Sequence, residues 1–277
     1  MALTVATIPL AACATPGSEL HREDLNTTGV VYVPRSHSHD NYRQARPLYG
    51  ALERGFASVE VDVLLQDGTL YIAHGVEEVR PSKTLTSLYL DPLREIVQRN
   101  GGSLYGPTGP SLQLLIDVKS EAVETYAALA YTLHQYSDVL TTWSEAGVRP
   151  GPVTVVLSGN RAIDDILADE VRYTAIDGRI EDDRSSMPVD VMPLVSADWE
   201  ALGPGDDEQR LAAASSLAQK IHREGRLLRF WATPEREELW RSLIASGVDY
   251  IGTDDVPRLH RTLRAMDGTA SIGRIDD

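Results

Sequence analysis

The feature that most constrains this chain is a regular alternation of two kinds of segment. Short apolar runs alternate with amphipathic, helix-like stretches from about Asn26 to Met266. This rhythm is typical of repeated strand–helix units around a parallel sheet. A single α/β barrel commonly takes about 250 residues, and the chain has 277. We therefore predict an α/β fold with a single TIM-type (β/α)8 barrel.

Nine short apolar runs are candidate strands, one more than the eight positions of such a barrel. They cover residues 29–34, 58–63, 70–73, 112–117, 153–157, 172–176, 191–195, 227–231 and 250–252. The second and third runs are separated by a segment that contains Asp67-Gly68, a typical hairpin turn, so we predict that 59–63 and 70–73 form one hairpin. Helical patterns cover residues 47–54, 121–135, 208–224 and 235–246.

The segment from Gly75 to Pro110 does not follow the alternation. It is rich in Gly, Pro, Ser and Tyr and contains one short helical pattern at 91–98. It follows the strand that ends at His74, and loops after barrel strands lie over the C-terminal mouth. We therefore predict an insert after the strand that ends at His74, which acts as a lid or shapes a substrate site, and a barrel that is either regular or distorted.

The formal charge of −15 limits the kinds of partner that the chain can bind. Nucleic-acid binding requires a basic stripe, and the sequence contains no cluster of Lys and Arg. We therefore exclude a nucleic-acid partner. The acidity suits a solvated surface, and it also suits a site that collects a divalent cation.

The N-terminal segment suggests export. Cys13 is the single cysteine, which rules out an internal disulfide and a cysteine metal cluster. The apolar run that ends at Cys13 resembles a bacterial lipoprotein cleavage box, although the charged leader expected before it is missing. We expect a bacterial cell-envelope lipoprotein or secreted protein, attached to the membrane through a lipidated Cys13; a disordered tail is the alternative. The predicted boundaries are 1–26 for the leader or lipoprotein segment and linker, 27–266 for the barrel and 267–277 for a flexible tail.

Two carboxylates lie on one strand at Glu60-Val61-Asp62. Side chains two apart point to the same face of a strand, and the flanking valines take the opposite face. Carboxylates that point into a barrel are costly unless a cation neutralises them, and a hard divalent metal commonly does so. A metal site is the favoured interpretation, and a structural ion pair is the alternative.

Three of the seven histidines lie near predicted strand ends. His37 and His39 follow the first strand, and His74 ends the third. Because the C-terminal ends of barrel strands meet at one face, we expect these histidines to gather with the acidic pair. We expect the other four to be surface residues: His21, His134, His222 and His260.

Later strands also end in polar or aromatic residues. Asp117 ends an apolar strand, and Lys119 follows two residues later on the same face. Asp117 is a candidate third metal carboxylate and Lys119 a candidate ligand of a phosphoryl oxygen, with a buried ion pair as the alternative. Arg229, Trp231 and Asp254 also end strands and are expected near the mouth, where Trp231 either walls a pocket or simply packs.

These motifs resemble a superfamily that comprises the glycerophosphodiester phosphodiesterases, the phosphatidylinositol-specific phospholipase C-like barrels and the sphingomyelinase D toxins. Residues 55–62, Asp67-Gly68 and His74-Gly75 look like the second strand with its Glu-x-Asp metal pair, the turn and the second catalytic histidine. Residues 117–119 look like the third metal carboxylate and the phosphate-binding lysine, and residues 247–254 look like the last strand. The similarity runs from about residue 31 to 260. It is greatest to a bacterial and fungal subgroup with a His-Ser/Ala-His-Asn-Asp-Tyr run.

The sequence departs from the family pattern in two places. Asn-Asp is inverted to Asp40-Asn41, so the choice between His37 and His39 as catalytic residue stays open, with His37 favoured because Asp40 falls three residues later. The His-Arg-Gly opening of the glycerophosphodiesterases is absent, together with its downstream Glu-Asn-Thr. The resemblance therefore supports a reaction class better than one substrate.

The resemblance implies hydrolysis or internal transfer at a glycerophosphodiester or phospholipid-type phosphodiester. One divalent cation, Mg²⁺ or Ca²⁺, is held by Glu60, Asp62 and Asp117. One of His37 and His39 deprotonates the attacking water or hydroxyl, and His74 protonates the leaving alkoxide. The implied substrate is a small molecule or lipid, and we expect a monomer. The residues implied to contact substrate are Lys119, Arg229, Trp231 and Asn41.

Two other functions remain as alternatives. A histidine pair after a first strand also begins the metal-dependent amidohydrolase barrels and the polymerase-and-histidinol-phosphatase-type phosphoesterases. Those sites need further histidines at later strand ends, and here the later predicted strands end at Asp117, Leu157, Val195 and Trp231. The second alternative is a non-catalytic barrel that binds a phosphate or lipid headgroup. The inversion to Asp40-Asn41 keeps this alternative open.

Overall fold

Eight parallel strands surround a central axis and form the barrel. The computed structural model describes residues 25–107 and 109–272; Cys13 and His21 lie outside the described residues. The barrel strands are β1 Val33–Ser38, β2 Phe56–Gln66, β4 Leu112–Val118, β7 Val153–Gly159, β8 Thr174–Gly178, β9 Leu194–Asp198, β10 Leu227–Trp231 and β11 Ile251–Thr253. Their order around the sheet is β10-β9-β8-β7-β4-β2-β1-β11, and one parallel bridge between Arg229 and Tyr250 closes it. The predicted (β/α)8 barrel is confirmed.

Within the described residues, seven α-helices accompany the strands. They are α1 Tyr49–Leu52, α2 Asp91–Arg99, α3 Ala122–His134, α4 Ile163–Ala168, α5 Asp207–Arg223, α6 Glu237–Ala245 and α7 Val256–Ile272. Side-chain caps begin two of the long helices: Glu121 accepts from the N–H groups of Val123 and Glu124, and Asp206 accepts from that of Gln209. No helix within the described ranges is long and apolar enough to cross a membrane. Helix α7 extends past the predicted barrel boundary at residue 266.

In the part of the chain that the structure describes, three short strands lie outside the barrel. Strand β3 Thr69–Ile72 pairs antiparallel with β2, as predicted, and both turn residues have left-handed backbones, with φ of 49° at Asp67 and 74° at Gly68. Strands β5 Thr142–Ser144 and β6 Gly147–Arg149 form a small hairpin that the apolar pattern did not predict.

Three barrel strands begin at least two residues later than predicted. The first starts at Val33 rather than residue 29, so His37 lies inside β1 and not after it. Strands β8 and β9 are shifted by two to three residues from the predicted 172–176 and 191–195. The reason is the same in each case: the C-terminal ends of these strands carry polar residues that point into the barrel, and an apolar pattern does not count them.

A bulge in β1 aims His37 into the barrel. Val33 pairs with Phe56 and His37 pairs with Ser58, so β1 has two more residues than β2 between these pairs. Arg35, between them, has a left-handed backbone with a φ of 67°. Such bulges bend a strand and redirect its side chains.

The insert after His74 is present, but most of it is not a lid. Leu85, Tyr89, Leu93 and Ile96 are buried in the main apolar core, and α2 packs as one of the helices around the barrel. The lid interpretation is therefore wrong for this part of the insert. The exposed residues of 76–83 remain as a loop beside the strand ends.

Inside the barrel, an apolar layer closes the N-terminal end. Leu115, Val156, Ala175 and Leu194 point inward from four strands and pack against Trp143 of β5. The guanidinium of Arg172 lies 4.6 Å from the centre of the Trp143 ring. Polar groups from these strands and their neighbours fill the layer above, so the C-terminal half of the barrel is the place for a site.

Candidate active site

Three carboxylates converge at the C-terminal end of the barrel. Glu60 and Asp62 lie on β2, and Asp117 is the register partner of Asp62 on β4. One oxygen from each of the three lies within 4.8 Å of the others. Glu60 and Asp62 are buried and Asp117 is partly buried. The structure thus brings together the three residues predicted to bind a metal.

The properties of Asp62 fit a divalent cation. Its Oδ1 atom is buried and has no hydrogen-bond partner among the described residues; Lys119 Nζ lies 3.3 Å away but does not donate a hydrogen bond to it. Burial raises the pKa of Asp62 to about 6, although the charge of Lys119 acts against the rise. Three carboxylate oxygens are hard ligands of the kind that Mg²⁺ and Ca²⁺ prefer. The residues present therefore fit the cation that the resemblance implies.

A chain of hydrogen bonds holds Asp62 from the other side. The Tyr42 hydroxyl donates to Asp62 Oδ2 at 2.8 Å, and Arg43 Nε donates to the Tyr42 hydroxyl at 3.1 Å. Arg43 Nη2 also donates to Glu78, which accepts from the backbone N–H of His74 at 3.0 Å. This chain fixes one oxygen of Asp62 and leaves the other without a hydrogen bond from the described residues. Sequence reasoning did not identify its members, although Tyr42 completes the His-Ser-His motif.

Arg229 neutralises Glu60. It reaches across the barrel from β10, and its Nη1 atom lies 2.5 Å from Glu60 Oε2 and 2.5 Å from His37 Nε2. Its Nε atom donates to the Ser196 hydroxyl at 3.2 Å. Burial raises the pKa of Glu60, but the charge of Arg229 and the hydrogen bond from His37 outweigh it and hold the pKa well below its usual range.

His37 is fully buried and both of its ring nitrogens have partners. Nδ1 lies 2.7 Å from the Ser58 hydroxyl and Nε2 lies 2.7 Å from Glu60 Oε2. Burial and the charge of Arg229 lower the pKa of His37 to about 4. A neutral, doubly bonded imidazole positions Glu60. This placement speaks against the preference for His37 over His39.

His39 lies at the mouth and is 43% exposed in its side chain. Its Nδ1 atom is 2.9 Å from Asp254 Oδ1, and its backbone N–H donates to the carbonyl of Thr253. Burial lowers the pKa of His39, but the charge of Glu60 and the hydrogen bond to Asp254 outweigh it, so the pKa is raised. Because Asp254 engages Nδ1, Nε2 is the nitrogen that is able to accept a proton.

A cavity of about 140 Å³ opens beside these histidines. Its wall includes Arg229 and Trp231, together with the segment around Glu235 and the end of β11. The guanidinium of Arg179 lies 4.9 Å from the centre of the Trp231 ring. One face of Trp231 is therefore covered by protein, and the residue both packs and walls the cavity.

The other predicted site residues have different surroundings. Lys119 Nζ is 2.9 Å from Asp117 Oδ2, so the lysine is tied to the carboxylates. His74 is exposed and is anchored through its backbone. Asn41 is fully buried: its amide donates to Ser38 and accepts from the Leu48 N–H and the Tyr89 hydroxyl. Asn41 therefore fixes the loop after β1, which corrects its prediction as a substrate ligand.

A family model described as "AIM6-like phosphodiesterase domain" matches residues 25–176, more than half of the chain. The chain belongs to this family. A model of the glycerophosphoryl diester phosphodiesterase family also matches residues 228–257, which include Arg229, Trp231 and Asp254. The predicted superfamily is confirmed, and the fold is that of a phosphodiesterase.

Fungal proteins and bacterial structures resemble this AIM6-like domain. "Altered inheritance of mitochondria protein 6 homolog" of Arthroderma benhamiae is 28% identical over 83% of each chain. "Altered inheritance of mitochondria protein 6" of Eremothecium gossypii is 30% identical over 83% of this chain and 69% of its own length. A phosphodiesterase from Oleispira antarctica, solved with the product sn-glycerol-3-phosphate, superposes with a TM-score of 0.55 at 16% identity, covering 85% of this chain and 97% of its own. A glycerophosphodiester phosphodiesterase from Parabacteroides distasonis superposes with a TM-score of 0.51 at 15% sequence identity. The superposition covers 84% of this chain and 99% of that chain.

The prediction of a bacterial exported lipoprotein is wrong. The sequence relatives of this AIM6-like domain are fungal proteins, and their names refer to the inheritance of mitochondria. An apolar run that ends in a cysteine is a short and weakly specific pattern, and here it misled.

The AIM6-like domain also contains polar residues that sequence reasoning missed. Asp177 on β8 is fully buried; its Oδ2 atom accepts from the Ser158 hydroxyl at 2.9 Å and from Arg179 Nη1 at 2.8 Å. Its Oδ1 atom has no partner among the described residues. The predicted strand ended at residue 176, one position before this aspartate. The Asp-Gly-Arg sequence that follows the apolar run was the available signal.

Proposed function

We propose that this AIM6-like domain cleaves a phosphodiester with one bound divalent cation. The observation that supports this proposal is the buried Oδ1 atom of Asp62, which has no hydrogen-bond partner within the described residues and belongs to a cluster of three carboxylates. This cluster lies at the same end of the barrel as the pair of His39 and Asp254. A cation site and a proton-accepting histidine at one mouth are the components that phosphodiester cleavage needs.

Glu60, Asp62 and Asp117 would hold the cation, with Mg²⁺ and Ca²⁺ the ions suited to three oxygen ligands. Such an ion supplies positive charge that polarises a phosphoryl oxygen and offsets charge that develops in the transition state. The protein prepares the cluster for this role: Tyr42 occupies one oxygen of Asp62, and Arg229 keeps Glu60 ionised.

His39 is the proposed general base. Its Nε2 atom takes the proton of the attacking water or substrate hydroxyl, while Asp254 holds Nδ1 and stabilises the resulting imidazolium. His74 is the proposed proton donor to the leaving alkoxide, because it is solvent-exposed and the residue before it, Ala73, donates a backbone hydrogen bond to the carbonyl of Asp62 at 3.2 Å. Lys119 and Arg229 place positive charge beside the phosphoryl oxygens. His37 positions Glu60.

The size of the cavity favours a small headgroup. A space of about 140 Å³ walled by His39, Trp231 and Arg229 accommodates a phosphoryl group with a compact alcohol rather than a nucleic-acid strand. We propose a small-molecule or lipid phosphodiester as substrate. Water attack gives a phosphomonoester and internal attack gives a cyclic phosphate, and phosphorus NMR of the products distinguishes the two.

Hydrolysis of bis(p-nitrophenyl) phosphate tests the proposal. We expect metal-dependent turnover that chelation abolishes and that His39→Asn reduces by about 10²–10⁴-fold, the usual contribution of one proton transfer. His74→Asn is expected to lose most activity toward substrates with a poor leaving group. If folded, metal-loaded protein were inactive on a broad panel of phosphodiesters, the non-catalytic headgroup-binding function would replace this one.

A further inference from the structure

A second concave region lies between helix α7 and the segment that follows β1, residues 44–54. It consists of two adjoining cavities of about 160 Å³ and 390 Å³ that share Arg54 and Pro257. We call it the α1–α7 cleft. Gln44, in its wall, donates to the backbone carbonyl of Asp254 at 2.8 Å. The cleft therefore borders the mouth of the barrel but shares no lining residue with the active-site cavity.

The lining of the α1–α7 cleft is positively charged. Arg46, Arg54 and Arg261 line it and Glu53 is its one carboxylate among the described lining residues, so three positive charges less one negative give +2. Glu53 lies between Arg46 and Arg54, at 2.5 Å and 3.7 Å. Arg264 follows one turn after Arg261 and adds a further positive charge. A chain with a formal charge of −15 thus concentrates arginines at one concave place.

The pKa of His260 reflects the positive charge of the cleft. Burial lowers its pKa, and the charges of Arg54, Arg264 and Arg261 lower it further, with no carboxylate acting in the opposite direction. Neither Arg261 nor Arg264 makes an ion pair with any residue in the described part of the chain. The positive charges of Arg261 and Arg264 are therefore not offset by any described residue, and they are available to a ligand.

We infer that the α1–α7 cleft is a binding site for a phosphate dianion, carried by a phosphomonoester. Guanidinium groups donate two parallel hydrogen bonds to phosphate oxygens, which makes arginine the side chain best suited to this group. The two positive charges of Arg261 and Arg264 match a dianion better than a single carboxylate. Two sources share this chemistry: a soluble phosphomonoester and the headgroup of a phosphatidate-type lipid. The inference does not depend on the proposed catalytic activity.

A histidine-detected NMR titration of the full chain tests this site. Protein labelled with ¹³C in its histidines is titrated with inorganic phosphate at constant ionic strength, and the His260 signal is assigned by its loss in His260→Gln. We expect a saturable shift of the His260 signal. The double variant R261Q/R264Q removes two exposed side chains and should weaken phosphate binding at this signal by at least about tenfold, because charge-assisted hydrogen bonds are the strong ones.

Arg223→Gln is the matched control, since Arg223 is an exposed arginine on α5, away from the cleft. It should bind phosphate as the natural protein does. Co-sedimentation with phosphatidylcholine vesicles, with and without phosphatidic acid, then separates the two sources: capture that R261Q/R264Q abolishes identifies the lipid headgroup, and phosphate binding without capture identifies a soluble ligand. A His260 signal that does not saturate, or that responds equally in R261Q/R264Q, overturns the inference.

Discussion

His37 and His39 are two residues apart, yet their surroundings give them opposite acid–base properties. His37 is enclosed by Ser58, Glu60 and Arg229, and its pKa is lowered to about 4. His39 lies one step nearer the mouth, where Asp254 engages Nδ1 and its pKa is raised. The sequence identified both residues but not their depths, because depth depends on the bulge and the late start of β1, which an apolar pattern does not reveal.

The hydrogen bond from Asp254 gives His39 a testable pH dependence. A general base must be neutral, so the rate should rise as pH increases through the raised pKa of His39. Asp254→Asn removes the negative partner, so the pKa falls and the rise should move to lower pH, while kcat falls by about tenfold or more from loss of ring orientation. Measurement of kcat against pH for both proteins checks this expectation.

His222→Gln is the control for that experiment, because it removes the pair that His222 of helix α5 forms with Asp249, which lies before β11. Its pH profile should match that of the natural protein. If the profiles of Asp254→Asn and the natural protein coincide, His39 is not the titrating base.

At the scale of elements, strands that end in polar residues were predicted less accurately than helices and the hairpin. Helices α3, α5 and α6 lie within two residues of their predicted positions, and the β2–β3 hairpin was predicted although β2 ends three residues later than expected. Asp-Gly turns, caps and amphipathic periodicity are local signals. Strands β1, β8 and β9 were misplaced because their last residues include Ser38, Asp177 and Asp198. Polar residues at a strand end weaken the apolar pattern by which the strand is predicted. For this reason the predicted strand stopped at residue 176, and Asp177 was not identified as a buried polar residue.

The end of β7 offers a test of how one element shapes the metal cluster. Gly159 has a φ of 67°, and a Cβ atom there would lie 2.1 Å from Asp117 Oδ1 and 2.4 Å from the carbonyl oxygen of Val118. Gly159→Ala should therefore displace the Asp117 carboxylate, weaken Mg²⁺ binding by about tenfold or more, and destabilise the fold by about 1–3 kcal/mol through backbone strain. Calorimetric titration and chemical unfolding measure the two effects.

Gly68→Ala is the matched control. Gly68 has a similar φ of 74°, but nothing lies within 4 Å of the added Cβ, so it imposes the strain without the clash. It should lose stability and keep its metal affinity. Equal metal affinity in both variants would show that Gly159 serves only the backbone.

At the scale of the whole molecule, the residues that stabilise the barrel interior and those that form the candidate active site lie at opposite ends of the barrel. Trp143 and the apolar layer close the N-terminal half, whereas the carboxylates, Arg229 and the histidines occupy the C-terminal half. The alternation of apolar runs predicted this architecture, because parallel strands flanked by helices have few other closed solutions. The Trp143 hairpin and the arginines of the α1–α7 cleft were not predictable, since they come together from segments far apart in the sequence.

The buried carboxylates make the stability of the whole molecule depend on metal. A ligand that binds only the folded state at about a hundred times its Kd adds about 2.7 kcal/mol, which for a chain of this size corresponds to a rise in Tm of roughly 5–10 °C. We expect Mg²⁺ or Ca²⁺ to produce such a rise in thermal unfolding. Chelation should reverse it.

Asp62→Asn separates the metal effect from the effect of charge. The folded-state pKa of Asp62 is raised to about 6, so its ionised form costs stability progressively as pH rises from about 4 through 6, and at pH 7 the cost is fully present. Replacement by Asn removes this cost and keeps the Tyr42 hydroxyl paired with an oxygen. Metal-free Asp62→Asn should therefore unfold at a temperature equal to or above that of the natural protein at pH 7, yet gain nothing from added metal.

Glu60→Gln should lose the metal effect and also be less stable without metal, because the buried charge of Arg229 is left without its partner. An undiminished metal-dependent rise in both variants would remove these carboxylates from the metal site.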